Sequence, residues 1–165
     1  ITHKDGVDPV PLGGEVNYPI TSDEFFKFIK GEDIKYDIIF IDGLHLHDQV
    51  VKDINNSLNH IVDGGTIVLH DCSPASEDRQ VEEYVVGKSW NGTVWKAWVE
   101  FRCNRKDLNM FVVDTDHGCG VIRKGEQKIW TKDPLNKCIE YTYLENHRTE
   151  LLNLISVEEF NQWIK

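Results

Sequence analysis

Apolar and polar positions fall into alternating blocks along the chain, and the blocks predict strands and helices in turn. Tyr36-Asp37-Ile38-Ile39-Phe40-Ile41 is a short, nearly continuous apolar run that stops at Asp42-Gly43. Such a run suits a strand buried on both faces, as in a parallel sheet. Leu46, Val50, Ile54, Leu58 and Ile61 then recur at helical spacing, with Lys52, Asp53, Asn55 and Asn56 on the polar side. Asp63-Gly64-Gly65 is expected to end that helix, because glycine accepts the left-handed conformation common at helix termini. Thr66-Ile67-Val68-Leu69 reads as a second buried strand, ending at His70-Asp71. Together these predict a βαβ unit with a right-handed crossover and two parallel strands.

Beyond a polar loop from Ser73 to Asp78, Val94, Trp95, Trp98, Val99 and Arg102 mark a helix with a heavy aromatic face. Met110-Phe111-Val112-Val113 and Gly120-Val121-Ile122-Arg123 predict two strands joined by the tight turn Asp114-Thr115-Asp116-His117-Gly118. Their separation suits an antiparallel hairpin at the edge of a mixed sheet. Two helix starts are sharply marked. Thr21-Ser22-Asp23-Glu24 and Ser156-Val157-Glu158-Glu159 are capping boxes, with Ile20/Phe25 and Ile155/Phe160 placed as hydrophobic staples. With no internal repeat and no obvious linker, residues 1–165 are expected to form a single domain.

Composition narrows the function classes. A chain of 165 residues, 40% hydrophobic and 28% charged, suits one packed core. No apolar run approaches the roughly 20 residues that span a bilayer, so no membrane partner is expected. No basic-then-apolar leader is visible, which points to the cytoplasm. Acidic residues outnumber basic ones by 28 to 18, for a net charge of -10, and a surface this negative repels a phosphate backbone. Nucleic acid is therefore not the expected partner. The cysteines, Cys72, Cys103, Cys119 and Cys138, are irregularly spaced and read as free thiols. Met110 is the only methionine, so the chain is expected to begin partway through a longer protein or to have been trimmed.

Ligands of open α/β sheets bind beyond the carboxyl ends of the strands. Stranded there are Asp42, Gly43 and His45 after one strand, and His70, Asp71 and Cys72 after the next. Parallel strands bring both clusters to one edge, so Asp42 and Asp71 are expected in one site. Three readings are open. Asp42, His70 and Asp71 offer a mixed oxygen and nitrogen set suited to Mg, Mn or Zn. His45 or His70 is placed as a general base, since imidazole titrates near neutrality. Alternatively the acids cap turns and the histidines are satisfied partners. Asp8, in Gly6-Val7-Asp8-Pro9, stands where dinucleotide folds put an acid for ribose hydroxyls, or else starts an ordinary Asp-Pro turn. Trp90, Trp95 and Trp98 read as core packing before pocket floor. Cys72 and Cys119 lack an activating partner.

Phe40-Ile41-Asp42-Gly43-Leu44-His45 and Gly64-Gly65-Thr66-Ile67-Val68-Leu69-His70-Asp71-Cys72, with the helix between them, resemble the class I S-adenosylmethionine-dependent methyltransferases. The closer likeness is to small O-methyltransferases with an "IDG-x-H" strand end and a "GG-x-hydrophobic-HD" strand. It extends through Trp90-Asn91-Gly92, Val112-Val113-Asp114-Thr115-Asp116, Gly118-Cys119-Gly120-Val121-Ile122-Arg123 and Leu151-Leu152-Asn153-Leu154-Ile155. The resemblance implies a doubly wound, mostly parallel Rossmann-like sheet with a final antiparallel strand. It implies S-adenosylmethionine as methyl donor, with Asp8 on the ribose and Ser22 and Asp23 near the adenine. Asp42 and Gly43 would lie beside the methionine portion, and His45 beside a small-molecule acceptor. Asp42 and Asp71 match positions that bind magnesium in related enzymes. The family's first strand and glycine-rich turn belong before Asp8, and Gly13-Gly14 neither follows a buried strand nor opens a helix. The expected sheet thus lacks its first strand, and a homodimer is one way to complete it. Two other functions fit the same residues: a non-catalytic remnant acting in self-assembly, and a metal-dependent hydrolase using Asp42, His45, His70 and Asp71.

Overall fold

The computed structural model describes residues 3–11, 13 and 16–165 and divides into two compact units, with the boundary after Lys35. In the first unit, Val7 and Tyr18 form an isolated parallel bridge. Helix α1 (Ser22–Phe28) opens with the expected capping box: Thr21 Oγ1 accepts from Glu24 N at 3.2 Å, and Glu24 Oε2 accepts from Thr21 N at 2.9 Å. Phe25 is buried and meets the Tyr18 ring edge-on at 4.9 Å. Gly14 of the Gly13-Gly14 pair lies outside the described residues.

The second unit, Tyr36–Lys165, begins with β1 (Tyr36–Ile41), α2 (His47–His60) and β2 (Ile61–Leu69). A 3-10 turn (Glu77–Arg79), α3 (Val94–Asn104), β3 (Leu108–Val113) and β4 (Cys119–Lys124) follow. The unit ends with α4 (Leu135–Cys138), α5 (Tyr141–Leu152), β5 (Leu154–Ile155) and α6 (Val157–Trp163). The strands form one sheet in the order β1-β2-β4-β3-β5. β1 runs parallel to β2 and β3 parallel to β5, while β4 is antiparallel to both of its neighbours. Four strands thus share one direction, as a Rossmann-like α/β sheet requires. The β3–β4 hairpin forms as expected, but its return strand lies between β2 and β3, and β5 takes the edge beyond.

Two local expectations are corrected. The glycine pair does not end the helix. α2 stops at His60, and Ile61 is already extended, with φ −92° and ψ 139°. Gly64, with φ +79°, instead sits inside β2, where the register jumps from Tyr36↔Ile61 to Ile38↔Thr66. It supplies the left-handed residue of a bulge. Gly65 is just as constrained, since a Cβ there would lie 2.7 Å from Ile61 Cγ1 and 3.0 Å from the Asp37 carbonyl oxygen. Nor is β1 buried on both faces. Ile39 and Ile41 turn inward, but Ile38 is 65% and Phe40 60% exposed. β1 is an edge strand, and among the described residues only β2 pairs with it.

The main core lies on one face, where Ile54 of α2, Trp95 and Trp98 of α3, and Leu144, Leu151 and Leu152 of α5 are fully enclosed. Gly120 makes room for it, because a Cβ there would fall 2.5 Å from Trp98 Cζ3. On the other face, Phe111, Val113 and Val121 pack with Ile155 and Phe160, and the Arg123 guanidinium lies 4.2 Å from the Trp163 ring centre. The second capping box, Ser156 with Glu159, starts α6 as expected. All four cysteines are free. Among the described residues no helix is long and apolar enough to cross a membrane.

Candidate functional site

β1 and β2 end in step. Ile41 pairs with Leu69, and His70 N donates to Ile41 O at 3.1 Å, so Asp42 and His70 leave the sheet side by side. Asp71 then breaks from the strand with φ +63° and is buried to 4% exposure. A non-glycine residue held there stores strain that its surroundings must hold in place. Here the β3–β4 turn holds it: Cys72 N donates to Gly118 O at 2.9 Å and Ser73 N to His117 O at 2.8 Å. Asp116, His117 and Gly118 are left-handed in succession, at φ 42°, 61° and 90°. Gly118 is needed for the close approach, since a Cβ there would lie 2.6 Å from Ser73 Cβ.

A second clasp fixes His45. Thr93 N donates to His45 O at 2.8 Å, and Thr93 Oγ1 accepts from His47 N at 2.7 Å, capping α2 from a distance in sequence. Gly92, with φ +59°, lies so close that a Cβ would meet His45 O at 2.1 Å. The Trp90 ring stacks on the His45 ring with centroids 4.9 Å apart and planes 18° from parallel. Asn91, itself buried, donates from Nδ2 to Asp71 Oδ1 at 2.6 Å.

The result is a knot of acids and imidazoles. His45 Nε2 lies 3.3 Å from Asp42 Oδ1, and His45 Nδ1 lies 3.3 Å from Asp71 Oδ2. His70 Nδ1 lies 3.2 Å from both Asp42 Oδ1 and Asp71 Oδ2, while its Nε2 faces Asp116 Oδ2 at 3.3 Å. The His45 hydrogen bond holds the Asp42 carboxyl below its ordinary range, against the effect of burial. Burial pushes Asp71 up, against the pull of both histidines. For His45 and His70 burial opposes the charged form, but the surrounding carboxylates outweigh it and raise both imidazoles. Burial pushes the thiols of Cys72 and Cys119 up, in keeping with inert cysteines.

One donor atom from each of Asp42, His45 and Asp71 lies within 4.8 Å of the others. Two carboxylates and an imidazole suit Mg, Mn or Zn. Asn91 Oδ1 is buried without a hydrogen-bond partner, and His45 Nδ1, though 3.3 Å from Asp71 Oδ2, makes no aligned hydrogen bond, so the pocket has unspent polar capacity. A divalent cation therefore fits the residues present. Exposed Asp42 precedes Gly43, whose Cβ position has nothing within 4 Å, so a ligand can approach the backbone closely there. Asp8, Ser22 and Asp23 belong to the first unit. Asp8 Oδ1 accepts from Val10 N at 2.8 Å, as in an ordinary Asx turn, and Ser22 and Asp23 form the first turn of α1.

Of the residues singled out from the sequence, Asp42, His45, His70 and Asp71 come together. Sequence reasoning ranked Trp90 as core before pocket floor and did not reach Asn91, Asp116 and His117 as members of the site. Trp90 differs from Trp95 and Trp98, which are core residues as expected. The signals were slight: a glycine after Asn91, and an Asp-His-Gly turn.

A comparison with curated proteins finds no match. Residues 14–72 match the family model of a methyltransferase domain, a stretch that takes in α1, β1, α2 and β2 and includes Asp42, His45, His70 and Asp71. The match falls on the strands whose ends carry the acids and imidazoles, so this part of the chain is similar to a methyltransferase domain.

Proposed function

We propose that the chain transfers a methyl group from S-adenosylmethionine to a hydroxyl of a small molecule, with the help of a divalent cation such as magnesium. The observation that carries the proposal is the convergence of Asp42, His45, His70 and Asp71 beyond two parallel strands. S-adenosylmethionine, when bound, supplies a methyl on a positively charged sulfur. A cation, when held, supplies the charge that lowers the pKa of a nearby hydroxyl. Asp42, His45 and Asp71 hold the cation, and Asn91 fixes the Asp71 carboxylate for that task. Asp42 and Gly43, at the open end of β1, are assigned to the methionine portion of the cofactor.

His70 takes the proton. The sequence put His45 first as base and His70 among the ligands; the ring environments favour the exchange. Both His45 nitrogens face acids of the cation set, whereas His70 presents only Nδ1 to them. Its Nε2 points toward the exposed turn at Asp116, where an acceptor hydroxyl can reach it. Two acids fix Nδ1, and an acceptor hydroxyl takes its place at Nε2 by displacing the exposed Asp116 carboxylate. A cytoplasmic setting and a second copy at the outer edge of β1 complete the proposal, the exposed Ile38 and Phe40 supporting the latter.

The test is a calorimetric titration with S-adenosylmethionine, paired with transfer of labelled methyl to small hydroxyl compounds with and without magnesium. Saturable heat and a labelled product that grows with magnesium are expected. No heat at millimolar cofactor removes the reading, and tightly held stoichiometric zinc would favour hydrolysis instead.

A further inference from the structure

One side chain of α5 reaches back to the end of β2. Arg148 Nη1 donates to Ser73 Oγ at 2.9 Å, across 75 positions of sequence, and Nη2 reaches the Tyr141 hydroxyl at 3.5 Å. The helix that presents Arg148 is firmly seated. Leu144, Leu151 and Leu152 are fully enclosed, while the Trp98 indole and the Arg102 guanidinium donate to Leu152 O and Leu151 O. Ser73 is fixed from the other side, since its N–H is spent on His117 O at 2.8 Å. It stands two residues past Asp71, so at most about 7 Å of backbone separates it from the buried acid.

Other arginines of this unit are spent within the fold. Arg102 donates to Leu151 O, Lys128 O and the Gln127 side chain, and Arg105 sets a fork on Asp107 at 2.7 and 2.8 Å. Arg148 has neither carbonyl nor carboxylate. Among the described residues no acid lies within 4 Å of it, in a chain whose net charge is -10. Both of its partners are hydroxyls, which are donors in their own right, and among the described residues nothing accepts the Ser73 or Tyr141 proton. Donors therefore outnumber acceptors around the guanidinium. A planar fork with protons to spare matches a carboxylate. One positive charge also balances one carboxylate, whereas a phosphate would bring nearly twice the charge toward Asp71.

We propose that Arg148, with the hydroxyls of Ser73 and Tyr141, binds a carboxylate of the acceptor, which is therefore a small hydroxy acid. Charge then orients the molecule. Its carboxylate is drawn to the guanidinium and repelled by Asp42 and Asp71, which leaves the hydroxyl end for the acids and His70. The inference rests on the methyl-transfer reading for the fate of that hydroxyl, but not for binding of the acid. Arg148 is a specificity-determining residue, and proton transfer stays with His70.

The test uses the full chain, treated with chelator so that no cation can hold the acid, and follows the Ser73 amide and the Arg148 Nε–H by NMR. The probes are trans-4-hydroxycyclohexanecarboxylate and its primary amide, which share a frame and a hydroxyl but differ in charge. The acid is expected to shift both signals saturably and to bind at least about tenfold more tightly, the scale of one charge-assisted hydrogen-bonded pair. Arg148→Gln should abolish that preference, Arg148→Lys should keep part of it, and Ser73→Ala should weaken acid binding several-fold. Ser73→Ala removes a single hydroxyl, so it decides the matter even where Arg148→Gln fails to fold. Equal affinity for acid and amide, a preference that survives Arg148→Gln, or acid binding indifferent to Ser73→Ala overturns the inference. Acid selectivity without methyl transfer would sink the methyl-transfer reading alone; methyl transfer to acid and amide alike, unchanged by Arg148→Gln, would sink this inference alone.

Discussion

Trp90 and Trp98 stand eight positions apart and belong to regions built on different principles. Trp98 is fully enclosed, its indole donates to Leu152 O at 3.2 Å, and it belongs to an apolar core drawn from helices and strands alike. Trp90 lies half-buried against a histidine, at a rim with a buried acid, left-handed backbone and orphaned polar atoms. One region gains free energy from every contact; the other holds groups in arrangements they would not adopt alone. The contrast shows why α3 starts where it does. Asn91, Gly92 and Thr93 grip the rim immediately before the helix enters the core, so the rigid part positions the strained part.

Substitutions should separate the two regions. Trp98→Ala removes one of the two enclosed tryptophans of α3 and is expected to cost about 3–5 kcal/mol, read by urea unfolding. His70→Asn should do the reverse, leaving stability within about 1 kcal/mol while methyl transfer falls by about 10²–10⁴-fold. An unchanged rate would remove His70 as base.

The pH response sharpens the comparison further. His45 and His70 have raised folded-state pKa values, so their contribution to stability is fully present below the ordinary imidazole pKa. It is lost as pH rises through the raised values. In chelator-treated protein the melting temperature should therefore fall from mildly acidic to mildly alkaline pH, and the double variant His45→Gln/His70→Asn should flatten that slope. Trp98 variants should keep it. The smallest effect is expected at β1. Phe40→Lys should change stability by no more than about 0.5 kcal/mol, because the side chain is already exposed, yet shift the sedimentation profile to monomer.

Much of the fold was written in local pattern. Both capping boxes, the helical face of Trp95 and Trp98, and the hairpin follow from spacings of a few residues. So does the union of Asp42 with Asp71, because a βαβ unit leaves two parallel strands little freedom. What escaped the pattern was long-range. Asp63-Gly64-Gly65 carries the same letters whether it caps a helix or bulges a strand, and only pairing with β1 decides. Ile38 and Phe40 look like core from composition alone, and their exposure depends on what lies across the sheet. Trp90 and Asn91 join the site through contacts with His45 and Asp71, 45 and 20 positions away, that no periodicity encodes.

The left-handed backbone at Asp71 narrows what chance variation can do there. Asparagine and glycine tolerate that dihedral but bring no charge, and glutamate brings the charge on a backbone that resists the dihedral. Aspartate alone answers both demands, so a single codon carries two independent vetoes.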